Sequence, residues 1–138
     1  MARLRAAARK VSGDLTRTLG PAWSCSLADD YVLTVRGFPA DVHVLVPGAL
    51  KDERWFVHPS FTKSALAASL SREAEETIGT RVTEALQQQG VLWPRCVTHS
   101  LPVDCSEGFW VCRNEPEHDI AAVGHLLASS QQEQWPEA

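Results

Sequence analysis

At 138 residues, 44% hydrophobic and 22% charged, the chain has the length and make-up of one ordinary folded domain. No stretch is long and apolar enough for a membrane helix, and a net charge of −4 argues against a protein that coats nucleic acid wholesale. Charge is unevenly placed: residues 1–20 carry Arg3, Arg5, Arg9, Lys10 and Arg17 against Asp14 alone. Beyond Arg113 there is no Lys or Arg, while Glu115, Glu117, Asp119, Glu133 and Glu137 follow. The early arginines precede no uninterrupted apolar run, so a secretory leader is not expected. A cytoplasmic setting follows, in which thiols stay reduced. The Ala- and Arg-rich, Lys-poor usage is that of a GC-rich bacterial genome.

In chain order, Leu4, Ala8, Val11, Leu15 and Leu19 step by four, three, four and four, the spacing of one helical stripe. Gly20-Pro21 then ends the helix. From Trp23 the period becomes two. Trp23, Cys25 and Leu27 alternate with small polar residues, and Tyr31, Leu33 and Val35 repeat the pattern after an Asp29-Asp30 turn. Val42–Val46 reads as a third strand and Arg54–His58 as a fourth, beyond the Pro47-Gly48 turn. Short connections favour an antiparallel meander. Leu66, Leu70, Ala74, Ile78, Val82 and Ala85 or Leu86 then mark a long helix stopped near Gly90. Phe109–Cys112 reads as a strand, and Ile120, Ala121, Val123, Leu126 and Leu127 as a short final helix. From Ser129 onward the sequence is polar.

The expected fold is α+β and a single domain over residues 1–138. A basic N-terminal helix (1–20) precedes a sheet-plus-helix body (22–90), with four antiparallel strands covered by the long helix. A Cys/His module (91–128) and a polar tail (129–138) complete it.

The most specific chemistry lies in Cys96-x2-His99-x12-Cys112-x5-His118. Six of the chain's nine Cys and His fall between residues 96 and 125. Two short knuckles, each with a thiol and an imidazole, suit a tetrahedral Cys2His2 zinc site, and two thiolates offset the ion's charge. The competing reading treats the cysteines as small buried hydrophobes. Cys105 is the internal rival as a ligand, expected instead to face solvent or pack under the hairpin. On Cys96, His99, Cys112 and His118 the segment resembles a zinc ribbon or zinc knuckle. It departs from that pattern in lacking a glycine in Cys96-Val97-Thr98-His99 and in the five-residue gap before His118. The resemblance implies a metal and nothing about its use.

Cys25 alternates with Trp23 and Leu27 and is expected in the core. His43 and His58 could join Asp41 in an acid–base site, but isolated His residues on strands are usually structural and no nucleophile or phosphate loop accompanies them, so no catalytic residue is assigned. The function expected is a non-enzymatic adaptor or accessory module with structural zinc, whose partner is another protein. Two alternatives stand beside it. One is a nucleic-acid-associated protein using Arg3, Arg5, Arg9 and Lys10. The other is a zinc hydrolase, which needs an open metal position faced by Glu107, Glu115 or Glu117.

Overall fold

The computed structural model describes residues 1–46, 63–96, 101–114 and 117–127, with the backbone alone at 63–66 and 101–102. Helix α1 spans Ala2–Leu19 and buries Leu4, Ala8, Val11 and Leu15 of the predicted stripe together with Ala7, while Leu19 is half-buried. Gly20 stops it with a positive φ of 122°, a backbone state that costs glycine little.

Strands β1 (Ser24–Leu27), β2 (Val32–Arg36) and β3 (Val42–Leu45) form an antiparallel meander in the order β1-β2-β3. Cys25 stands opposite Val35 and Leu27 opposite Leu33, so the buried face is continuous across the pair. The expected fourth strand, Arg54–His58, lies outside the described residues, as does the tail from 129. Trp23 falls just before β1 and meets Phe38 edge-on at 4.9 Å.

Helix α2, Lys63–Gln88, buries Leu70, Ala74, Ile78, Val82, Ala85 and Leu86. Its end is a Schellman turn: Gly90, at φ 83°, donates to the Gln87 carbonyl at 3.0 Å and Val91 to that of Leu86 at 2.9 Å. The two helices pack together, and Lys10 Nζ reaches the buried Glu75 carboxylate at 2.6 Å.

The C-terminal segment is a small β-structure. Strands β4 (Arg95–Cys96) and β5 (Leu101–Pro102) pair antiparallel, and β6 (Asp104–Ser106), β7 (Phe109–Cys112) and β8 (His118–Ala122) form a second three-stranded sheet. The expected final helix is therefore corrected: Ile120 and Ala121 lie in β8, and Val123-Gly124 turn out of it. Cross-strand bonds to β7 win over the local helical spacing. Trp93 and Trp110 meet at 5.3 Å, fully buried, in one core shared with α1, β1, β2 and α2.

Asp14 joins this sheet to α1. Its carboxylate is fully buried and accepts from Trp110 Nε1 at 2.9 Å, Gly124 N at 2.8 Å, Leu126 N at 3.0 Å and Arg17 at 2.8 Å. Arg17 also donates to the Leu126 carbonyl at 2.6 Å. The acid falls in phase with Val11 and Leu15 on the helix stripe. That placement is the sequence signal for a buried, fully bonded carboxylate.

Gly79 lets α2 approach the second sheet. A Cβ there would stand 2.5 Å from Cys105 Sγ and 3.2 Å from the Trp110 ring. Alanine is intrinsically about 1 kcal/mol better than glycine within a helix, but overpacking costs about 1–3 kcal/mol. Gly79→Ala is therefore expected to destabilise the fold in urea, by less when Cys105→Ala accompanies it. Strict additivity of the two changes would show that the packing conflict is absent.

Candidate metal centre

Three of the four residues singled out by spacing converge. Cys96 Sγ, Cys112 Sγ and a His118 ring nitrogen all lie within 4.8 Å of one another. The fold explains how. Cys112 closes β7 and His118 opens β8, and the two are direct partners in the antiparallel register, so their side chains share a face. The x5 gap thus joins two paired strands. Cys96 arrives from β4, which pairs with β5 through Cys96 and Leu101. His99 lies outside the described residues, three positions after Cys96 and two before Leu101.

The donor set suits zinc. Cys96 Sγ and His118 Nε2 are 3.5 Å apart. A tetrahedral ion with Zn–S near 2.3 Å and Zn–N near 2.0 Å has an S···N edge of about 3.5 Å. The same separation serves a thiol–imidazole hydrogen bond, so the geometry fits either state. Cys96 and Cys112 are buried and His118 half-buried. The Asn114 side-chain amide reaches Cys112 Sγ at 3.7 Å, a donor placed against the sulfur. Arg113, between these elements, pairs with Glu117 at 2.8 Å and Asp104 at 3.6 Å.

The remaining thiols are elsewhere. Cys25 donates to the Ala8 carbonyl at 3.4 Å, in the core as expected. Cys105 is buried against α2 and donates to the Glu75 carbonyl at 3.4 Å. Its expected exposure to solvent is corrected, and packing beneath the hairpin is what the fold adopts. Burial pushes both thiols up to about 12 from 9.0; Asp14 adds to the rise at Cys25 while Arg36 opposes it, and Glu76 and Glu75 lead further rises at Cys105.

The raised values have a consequence for stability. Below about pH 9 both thiols are protonated in folded and unfolded chains alike, and the stabilisation is complete. As pH rises from about 9 toward 12 the unfolded chain ionises first. Stability should then fall by about 1.4 kcal/mol per pH unit per thiol. Urea unfolding between about pH 8 and pH 10 should show this loss, with a shallower slope in Cys25→Ala. An unchanged slope in that variant would contradict the assignment.

Among other sequence candidates, His43 Nδ1 contacts Thr34 Oγ1 at 3.0 Å and Asp41 lies 3.8 Å from Arg36, while His58 lies outside the described residues. Of the basic set, Arg5 pairs with Asp29 and Lys10 with Glu75; Arg3 is half-buried, and Arg9 is exposed. Among the described residues no helix is long and apolar enough to cross a membrane. Comparison with protein-family models, curated proteins and solved structures finds no match for this chain.

Proposed function

We propose that this chain is a small non-enzymatic zinc protein of the cytoplasm, acting as an adaptor or accessory module for another protein. The zinc is structural, bound by Cys96, His99, Cys112 and His118. One observation supports the reading: two thiols and an imidazole from three strands lie within 4.8 Å of one another, with one sulfur–nitrogen pair at 3.5 Å. In this reading His99 is the fourth donor of a closed site. A closed site organises structure, whereas a hydrolytic one keeps a position open beside a general base.

The described acids favour the closed site. Glu117 is engaged by Arg113 at 2.8 Å. Glu107 lies in the turn before β7, at the end away from Cys112, roughly 16 Å along an extended strand. Arg5 and Lys10 pair with acids of the same molecule, which reduces the positive charge they offer to phosphates.

Elemental analysis of the full chain and its variants tests the proposal. Cys96→Ser, Cys112→Ser and His99→Ala should each lower zinc well below one ion per chain, and Cys25→Ser should leave it intact. Because α1 belongs to the core, its deletion would unfold the protein. The nucleic-acid alternative is better tested with Arg3→Glu and Arg9→Glu. Any affinity for nucleic acid should vanish in these variants and fade steeply with salt. Sequence-specific binding that survives them would overturn the ranking.

A further inference from the structure

We propose that Cys96 and Cys112 form a site of reversible oxidative modification, closing to a disulfide when the metal has left. Their sulfurs are at most 4.8 Å apart. A disulfide needs about 2.05 Å, so the pair must close by up to roughly 2.8 Å. Rotation about the two Cα–Cβ bonds acts on that scale. Cys96 sits in a two-stranded ladder of two residue pairs, and Cys112 on the last pair of β7 with β8. Both lie where a ladder ends and the backbone yields most readily.

The chain's other thiols are kept apart from this chemistry. Cys25 is held to the Ala8 carbonyl and Cys105 to that of Glu75, each buried against a helix. Gly79 further shows how tightly Cys105 is enclosed. All four cysteines are buried, and they divide into one pair within 4.8 Å and two thiols held apart from it.

With a peroxide as oxidant the chemistry balances. One sulfur of the pair attacks a peroxide oxygen; the O–O bond breaks, the thiol proton leaves with the departing hydroxide as water, and a sulfenic acid remains. The second sulfur attacks the sulfenic sulfur. The S–S bond forms, the S–O bond breaks, and hydroxide leaves with the second thiol's proton as another water. Two thiols are oxidised and one peroxide is reduced. A bound metal uses the same sulfur lone pairs, so metal and disulfide exclude each other. That exclusion rests on the zinc reading above, whereas the disulfide itself rests on the sulfur positions alone.

The test treats full-length chain with hydrogen peroxide in two forms, zinc-loaded and stripped by a chelator that is then removed. Peptide mapping under non-reducing conditions follows. The stripped protein should lose the mass of two hydrogens through one cross-link, Cys96 to Cys112, reversed by dithiothreitol. Cys25 and Cys105 should remain free. Zinc-loaded protein should react at least roughly tenfold more slowly. In guanidinium the same oxidation should give mixed pairings. Pairing through Cys25 or Cys105, over-oxidation in place of a cross-link, or a native pattern matching the denatured one would each overturn the proposal. Equal rates with and without zinc would overturn the exclusion. If the chain takes up no zinc, the structural-zinc reading falls, and the stripped form still decides the disulfide.

Discussion

Asp14→Ala is expected to cost the fold about 3–5 kcal/mol, a large part of the stability of a domain this size. The substitution leaves the Trp110 indole N–H and the Gly124 and Leu126 amides without their acceptor inside the protein. It also strands Arg17, which is held to the same carboxylate at 2.8 Å. Asp14→Asn should cost nearly as much, because one of two acceptor oxygens becomes an NH2 aimed at donors. Urea unfolding followed by tryptophan fluorescence measures both. A loss below about 1 kcal/mol for the alanine variant would mean that the buried network contributes little to stability.

Removing zinc should be the other large effect. A metal at a thousandfold its dissociation constant stabilises the native state by about 4 kcal/mol. For a chain of this size that is a midpoint shift on the order of 10 °C. The location of the change is as informative as its size. Cys/His spacing alone pictures a metal-held module from residue 91 that would unfold whole without its ion. The core instead includes Trp93 and Trp110, and Asp14 clamps Gly124 and Leu126 to α1. Hydrogen exchange in chelator should therefore quicken at Cys96, Leu101 and the Cys112–His118 end. The amides of Trp110, Gly124 and Leu126 should stay protected. Uniform loss of protection would instead make zinc the organiser of the entire domain.

Much of the helical structure was legible because its stripes are long. Leu70, Ala74, Ile78 and Val82 repeat over several turns, and all four are buried. The first three strands were equally legible from alternation. Strand β8 was not: His118, Asp119, Ile120, Ala121 and Ala122 offer no strong alternation, and only pairing with β7 specifies it. Spacing located Cys96, Cys112 and His118 but not their placement on three strands. A five-residue gap does not reveal that Cys112 and His118 face one another across two strands. Asp14 was overlooked as a lone acid among arginines, although its helical phase placed it on the apolar stripe. Long-range bonds to Trp110 and Leu126 cannot be read from a local window.

A closed zinc site on Cys96, His99, Cys112 and His118 is open to a direct measurement. X-ray absorption at the zinc edge, on full-length protein purified without added metal, reads the ion and its donors together. The expected result is four-coordinate zinc with two sulfurs at about 2.3 Å and two nitrogens at about 2.0 Å. A protein without zinc, a sulfur-free shell, or three protein donors completed by water would contradict it.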